Sequence, residues 1–247
     1  MRKLCAIFKC LAVFFLLYSL HGNANAQDNP FVNGSFETGD FTGWAVTNEL
    51  GSEGDWFVYS GTQAPLGFGF LLRPPVGRFA ATTDQGGPSS QVLYQDIDVP
   101  VGFDTACSFI VYYENDAPEF VTAPDLSFLT IPNQQARIDI MDPSAGDFDV
   151  GAGVLENLFQ TNPGDPLSLD YTKIDFDLSP YAGTTVRFRA AEVDNQLNFF
   201  FSIDDVRCGP GQSFTIPTLG EWGLIAMAGV LGLAGLIFAH RRRELIT

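Results

Sequence analysis

The stretch Thr185-Val186-Arg187-Phe188-Arg189-Ala190-Ala191-Glu192-Val193 alternates between apolar and polar side chains over most of its length. Successive side chains of a β-strand point to opposite faces of the sheet, so a period of two is typical of a strand with one buried face. We therefore expect its apolar residues to face a core. Its two arginines, Arg187 and Arg189, are expected to point away from that core.

Two further segments show the same period. Ala136–Met141 places Ile138 and Ile140 opposite Arg137, and Leu169–Leu178 alternates in the same way. Short β-rich runs separated by Gly, Pro, Asn and Asp recur along the rest of the chain, without heptads or a long helical period. This pattern predicts an all-β, antiparallel β-sandwich.

The same criteria predict six more strands and three long loops. The strands are Trp44–Thr47, Trp56–Ser60, Arg78–Thr82, Gln91–Val99, Ala106–Glu114 and Phe199–Cys208, and Val150–Phe159 is either a strand or a turn region. The loops are Gly61–Gly77, Asn115–Pro132 and Asp142–Asp149. Because Gly61–Gly77 is rich in apolar residues, we expect it to pack as a flap over the edge of the core.

The charge of the chain is strongly negative. Between Gln27 and Gly220 there are 7 Lys and Arg against 27 Asp and Glu, a difference of −20. Phosphates need cations opposite them, so this composition excludes a nucleic-acid partner. It is compatible with divalent cations, which prefer carboxylate ligands. The 23 phenylalanines argue for a packed core rather than a disordered acidic linker.

The N-terminus has the features of a secretory signal peptide over residues 1–26. A basic start precedes the apolar run Leu11–Leu20, and Ala24-Asn25-Ala26 is a small-x-small cleavage site. Gln27 is then the first mature residue. This organisation predicts Sec export, cleavage by signal peptidase, and a following domain that faces the periplasm or the outside of the cell.

Two cysteines, Cys107 and Cys208, remain after removal of this segment. An oxidising compartment favours a disulfide between them. Such a bond would close a loop of about 100 residues and contribute about 4 kcal/mol in the chain-entropy model. The alternative is a pair of buried free thiols on separate strands.

The C-terminus begins with Ile216-Pro217-Thr218-Leu219-Gly220-Glu221-Trp222-Gly223 and ends close to Arg241-Arg242-Arg243. The 18 positions from Trp222 to Ala239 carry no charge. A bilayer core takes about 20 apolar residues, so one short transmembrane helix over 222–239 is feasible. Trp222 suits the outer interface of the membrane, and the arginines suit its cytoplasmic side.

This order of motif, helix and arginine cluster resembles the bacterial PEP-CTERM-type sorting signals. Ile-Pro-Thr-Leu-x-x-Trp-Gly is the signature of the IPTL-CTERM variety, and residues 216–223 match every fixed position. The resemblance implies that residues 216–247 are recognised by an exosortase, a membrane-embedded transpeptidase of Gram-negative bacteria. It also implies transfer to the cell surface or extracellular matrix. The alternative is an ordinary C-terminal anchor with a chance motif.

The ends of the ectodomain, residues 27–212, resemble a second group of proteins. Asn33-Gly34-Ser35-Phe36-Glu37 with Gly43-Trp44, and Phe201-Ser202-Ile203-Asp204-Asp205-Val206, are similar to the first and last strands of galactose-binding-like jelly rolls and carbohydrate-binding modules. This resemblance implies one structural calcium ion where those strands meet. The matching ligands are Glu37 and one of Asp204 and Asp205, with Asp40 as a weaker candidate. The alternative is a solvated edge with turn hydrogen bonds.

Catalytic residues are not evident. The two histidines, His21 and His240, both lie outside the ectodomain, so it has neither a Ser-His-Asp triad nor a histidine-rich zinc site. We therefore expect no enzyme activity. A ligand face could be formed by Arg137, Arg187 and Arg189 with Tyr113, and stacking surfaces by Tyr112, Trp56 and Tyr59. The alternative is that these arginines pair with acids such as Asp139 and Asp175.

Two functions fit these features. The first is an exported surface or matrix protein that is associated with exopolysaccharide and has a structural role. The second is a lectin-like carbohydrate-binding module with a defined sugar site. Exposed stacked aromatic rings beside the three arginines would favour the second function. A sheet face covered by the Asn115–Pro132 insertion would favour the first.

Overall fold

The alternating segment around Arg187 and Arg189 forms a strand at the centre of the first of two sheets.

The structure, a computed structural model, describes residues 29–67, 69–102 and 106–209. The predicted signal peptide and the C-terminal motif, helix and arginine cluster lie outside these residues. Within the described residues, no helix is long and apolar enough to cross a membrane.

Ten strands are present in the described part of the chain. They are β1 (Ala45–Asn48), β2 (Gly54–Tyr59), β3 (Ala80–Gln85), β4 (Ser89–Asp98), β5 (Ala106–Asn115), β6 (Gln134–Met141), β7 (Val154–Gln160), β8 (Ser168–Asp177), β9 (Thr185–Asp194) and β10 (Phe199–Cys208). A short 3₁₀ turn, Ser179–Tyr181, connects β8 to β9. All the predicted strands are found, and the ambiguous segment after Val150 is the strand β7.

The strands form two five-stranded antiparallel sheets. The first sheet has the order β1-β4-β9-β6-β7, and the second has the order β2-β3-β10-β5-β8. Apolar side chains from the inner faces of both sheets form one core, in which Leu93, Ile138 and Phe188 meet Phe109 and Phe201. This arrangement confirms the predicted β-sandwich, because each strand contributes alternate residues to the layer between the sheets.

The N-terminal segment closes this core across β10. Phe31 and Phe36 are buried in it. The carbonyl of Gly34 accepts a hydrogen bond from the backbone N–H of Val206 at 2.9 Å. A Cβ atom at position 34 would lie 1.9 Å from the carbonyl oxygen of Val206, so only glycine allows the two segments to approach this closely.

The two cysteines form a disulfide. Cys107 on β5 and Cys208 on β10 are directly opposite each other in the register of the second sheet, and their sulfurs are bonded. The bond joins positions 101 residues apart in the sequence. It therefore confirms the predicted pairing and excludes the alternative of two free thiols.

Long loops cover the outer faces of both sheets. In the Asn115–Pro132 insertion, Leu126 and Phe128 pack on Val92, Ala191 and Val193 of the first sheet. The flap, residues 61–67 and 69–77, lies over the outer face of the second sheet, where Ala64 and Leu71 form a cluster with Phe200. The flap thus covers a sheet face rather than only the edge of the core, because Tyr59 of β2, Tyr112 of β5 and Phe200 of β10 form an apolar cluster on that face.

Candidate functional site

The predicted ligand face around Arg137, Arg187 and Arg189 is enclosed by protein. These three residues, which we call the arginine cluster, lie on the outer face of the first sheet, as the alternation predicted. Their exposed fractions, however, are 7%, 7% and 0%. Strand alternation gives the face on which a side chain lies, but it does not show whether a loop covers that face. An open arginine patch was therefore the wrong interpretation of these positions.

Carboxylates from the same sheet neutralise the arginine cluster. Asp139 receives two hydrogen bonds of 2.7 Å from Arg137 and an ion pair of 2.5 Å from Arg189. Arg187 binds Asp96 at 2.6 Å, and this contact is the main reason that the pKa of Arg187 is raised. The alternative assignment, in which the arginines pair with nearby acids, is therefore correct for Asp139. The other acid named for that role, Asp175, pairs with Lys173.

The acidic loop Asp142–Asp149 is attached to the sheet through these same arginines. Arg189 donates to the backbone carbonyls of Asp147 and Asp149 at 2.7 and 2.6 Å. Arg187 binds the carboxylate of Asp147 at 2.6 Å, and its guanidinium lies 3.9 Å from the ring centroid of Tyr94. The cluster is thus a structural anchor whose hydrogen-bonding capacity is directed at the protein itself.

Two of the aromatic residues predicted to stack on a ligand lie in the core. Tyr113 is 4% exposed and packs against Phe120, and its hydroxyl donates to the carbonyl of Pro166 at 3.0 Å. Trp56 is buried against Phe201. Because Tyr112 and Tyr113 are adjacent on β5, only one of them can face outward, and that residue is Tyr112.

The tyrosines that lie together on the outer side of the second sheet are Tyr59, Tyr112 and Tyr171, and we call them the tyrosine face. Tyr59 and Tyr112 are 4% and 3% exposed beneath the flap, so only Tyr171 is partly open to solvent. The rings of Tyr112 and Tyr171 are 5.2 Å apart, and the hydroxyls of Tyr59 and Tyr171 form a short hydrogen bond. Tyr112 donates to the carboxylate of Glu114 at 2.8 Å. Tyr171 was not selected from the sequence, although the alternation of β8 would have placed it on the outer face.

The chemistry of the tyrosine face is that of neutral hydroxyl groups beside carboxylates. Burial is the main cause that raises the pKa of Tyr59 to about 12, and burial also raises the pKa values of Tyr112 and Tyr171. All three hydroxyls therefore remain protonated at neutral pH. Rings that combine an apolar surface with a hydroxyl donor are suited to ligands with both apolar and hydroxyl surfaces.

The flap is held on this face by two carboxyl groups. Asp84 accepts a hydrogen bond from the backbone N–H of Leu66 at 2.6 Å, and Asp204 accepts one from Val76 at 3.3 Å. Burial is the main cause that raises the pKa of both groups, for Asp204 to about 8. Phe70, within the flap, is 79% exposed.

The acids predicted to bind calcium, Glu37, Asp204 and Asp205, lie where the N-terminal segment meets β10. We call them the edge acids. Glu37 accepts hydrogen bonds of 2.8 Å from the backbone N–H groups of Arg78 and Phe79. Asp204 accepts a hydrogen bond from the backbone N–H of Val76, two residues before Arg78, so both carboxyl groups contact the same short segment.

Asp205 has a different environment from Asp204. It lies at an irregularity of β10 with a backbone φ of 51°, and it pairs with Arg207 at 3.2 Å. Asp40, the weaker candidate, caps its own turn through hydrogen bonds with Thr38 and Thr42, and these bonds lower its pKa. Within the described residues no three His, Cys, Asp or Glu side chains converge as a metal site. Calcium at the edge acids would therefore need backbone oxygens as further ligands.

Comparison with known proteins identifies the C-terminal segment. Residues 215–243 match the family model of the IPTL-CTERM motif. This match confirms the motif that was identified from residues 216–223, and it extends to include Arg241, Arg242 and Arg243. A comparison with curated protein sequences gives no match.

Solved structures of similar fold include several carbohydrate-binding modules. TmCBM61 in complex with β-1,4-galactotriose is 12% identical with a TM-score of 0.44, and the match covers 74% of this chain and 99% of that one. The K3 cleaved adhesin domain of Lys-gingipain from Porphyromonas gingivalis is 11% identical with a TM-score of 0.45, covering 74% and 100%. A family 11 module of a Clostridium thermocellum cellulase is 10% identical with a TM-score of 0.37, covering 76% and 97%. These likenesses concern the fold class and not the ligand.

Replacing Arg189 should destabilise the protein far more than replacing an exposed cation. Arg189→Met removes one partner of the fully buried Asp139 and two bonds to loop carbonyls, so we expect a loss of about 3 kcal/mol in unfolding free energy. Lys173→Met, in the exposed pair with Asp175, should cost less than about 1 kcal/mol. Urea unfolding of the full chain in detergent measures both values. Equal, small changes in the two variants would show that the buried cluster is not an anchor.

Proposed function

We propose that this chain is an exported protein of the cell surface or extracellular matrix, with a non-enzymatic ectodomain that associates with exopolysaccharide. The observation that carries the proposal is the IPTL-CTERM motif over residues 215–243. In this account Sec export and signal peptidase produce an inner-membrane precursor with a periplasmic ectodomain. An exosortase-type transpeptidase then reads the motif and releases the protein to its final location.

The form of the ectodomain supports a structural role. Both sheets are covered on their outer faces, the arginine cluster is occupied by Asp139 and Asp96, and one disulfide joins β5 to β10. The Asn115–Pro132 insertion covers the first sheet, as expected for a structural protein rather than one with a sugar site beside the arginines. The lack of histidine between residues 27 and 212 argues against a Ser-His-Asp triad and a histidine-rich zinc site.

A lectin-like function is the second candidate, and the tyrosine face is the observation that favours it. Tyr171 is only partly buried, and its ring lies beside that of Tyr112. The exposed ring of Phe70 lies in the neighbouring flap. The ectodomain is strongly acidic, so its electrostatic field favours neutral sugars, or acidic sugars bridged by calcium.

Sorting should depend on the motif and not on its variable positions. We expect Trp222→Ala, or removal of Arg241–Arg243, to leave an unprocessed precursor in the inner membrane of the native host. Glu221→Ala is the matched control, because this position is variable in the signature, and it should be processed normally. Cell fractionation and immunoblotting measure the outcome. Normal release of the Trp222→Ala protein would refute the sorting proposal.

We expect the purified protein to bind exopolysaccharide from the producing cells saturably. Co-sedimentation measures this binding in two separate conditions, one with calcium and one with a chelator. If the tyrosine face forms the site, Tyr171→Ala should weaken binding at least tenfold, because it removes half of the ring pair. Tyr181→Ala, in the 3₁₀ turn, should bind as the wild type does. Binding that is unaffected by Tyr171→Ala would eliminate the lectin-like candidate. No binding in either condition would refute the association itself.

Calcium at the edge acids is a further part of the proposal. Glu37→Ala should lower the calcium bound at equilibrium by one ion per chain, whereas Asp40→Ala, from the same loop, should retain that ion. Bound metal is the appropriate measurement, because Glu37→Ala also removes two hydrogen bonds and lowers stability without calcium. An unchanged calcium content in Glu37→Ala would show that these acids have only a structural role.

A further inference from the structure

The inner face of the first sheet changes from apolar to polar at one end of the sandwich. Leu93 of β4 faces Ala190 of β9, and both belong to the core. At the next two inward positions of each strand, Gln91 is opposite Glu192 and Ser89 is opposite Asp194. All four side chains are buried, with exposed fractions of 0% for Ser89, Gln91 and Glu192 and 3% for Asp194.

The second sheet closes this group from the other side. Gly54 of β2 and Gln85 of β3 are opposite each other in register. A Cβ atom at position 54 would lie 2.4 Å from the Nε2 atom of Gln91 and 2.9 Å from the Oγ atom of Ser89, so glycine makes room for both. The Nε2 atom of Gln85 donates to the backbone carbonyl of Phe199 at 2.8 Å, whereas its Oε1 atom has no partner among the described residues. We call Ser89, Gln91, Glu192, Asp194 and Gln85 the interior cluster.

The interior cluster contains oxygen atoms without hydrogen-bond partners among the described residues. They are both carboxyl oxygens of Glu192, Oδ1 of Asp194, Oε1 of Gln91, Oε1 of Gln85 and Oγ of Ser89. The Nε2 atom of Gln91 is also unpartnered. Buried polar groups of this kind are normally paired, because an unpaired one costs free energy comparable to a lost hydrogen bond. The cluster is therefore incomplete as a set of protein–protein contacts.

The described residues supply no cation to Glu192 or Asp194. None of the ion pairs in the described part of the chain involves Glu192 or Asp194. Burial raises the pKa of both groups, for Asp194 to about 8, and the charge of Asp194 raises that of Glu192 further. By contrast, the fully buried Asp139 has two arginine partners. Two carboxyl groups facing unpaired oxygens thus form the environment that a cation would complete.

We propose that the interior cluster is a calcium site, separate from the edge acids. Calcium takes six to eight oxygen ligands, and carboxylates together with amide and hydroxyl oxygens provide a set of this kind. The absence of sulfur and imidazole from the cluster disfavours zinc. Magnesium usually retains several waters, which suits it poorly to an all-protein enclosure. Bound here, calcium would join β4 and β9 of the first sheet to β3 of the second.

The calcium content of the full chain tests this site. The parent protein is the Glu37→Ala variant, in which the edge acids no longer form a calcium site. It is purified in detergent, equilibrated with calcium and then separated from unbound metal. Inductively coupled plasma mass spectrometry should find one calcium ion per chain. Adding Glu192→Gln and Asp194→Asn, which keep the size of both side chains, should reduce the content to none. If Glu37→Ala does not fold, Asp204→Asn is the alternative parent.

The melting temperatures provide a second readout. In a chelator, the Glu192→Gln/Asp194→Asn protein should melt higher than its parent, because neutral amides replace two buried acids. In calcium the order should reverse, because only the parent gains the ion. A parent chain that binds no calcium would overturn the proposal. An interior variant that binds as much calcium as its parent would overturn it as well. Neither result would decide whether the edge acids bind calcium, because that question is tested by comparing Glu37→Ala with the wild type.

Discussion

The ion pair between Arg189 and Asp139 is the contact on which the outer covering of the first sheet depends. Both side chains are fully buried, and Arg189 also holds the backbone of the Asp142–Asp149 loop. A charged pair is stable in such a place only when its remaining hydrogen-bonding groups are satisfied. Arg137 and the loop carbonyls satisfy most of these groups, and the Nε atom of Arg189 is the one that has no partner among the described residues. The loop therefore folds over the sheet, and a face that would otherwise be exposed to solvent becomes part of the interior.

The same requirement explains where this acidic chain places its few cations. Only 7 Lys and Arg accompany 27 Asp and Glu between residues 27 and 220. Arg137, Arg187 and Arg189 all pair with acids of the first sheet or its covering loop. Among the described residues, no ion pair involves the buried carboxyls of Glu192, Asp194 and Asp204. Calcium is abundant outside cells and prefers such oxygen ligands. Our two calcium proposals therefore follow from one imbalance of charge, and they also fit a protein that is exported.

The sequence predicted the strands, the sandwich and the disulfide because these depend on local periodicity and on cysteine count. It could not show that the arginine cluster is enclosed, because the covering loop contacts the sheet across about 40 positions in sequence. Tyr113 was misplaced because two adjacent tyrosines cannot both face outward. The interior cluster, by contrast, could have been predicted from the sequence. Continuing the alternation of β9 from Ala190 places Glu192 and Asp194 inside the core, and acids at inward positions are a recognisable anomaly.

Native mass spectrometry of the protein recovered from the surface or matrix of the producing cells tests the central claim most directly. The account predicts a chain that begins at Gln27, lacks the segment C-terminal to the IPTL motif, contains the Cys107–Cys208 disulfide and retains calcium. A full-length C-terminus, found only in the membrane fraction and without bound metal, would contradict both the sorting of this protein and the role assigned to its buried acids.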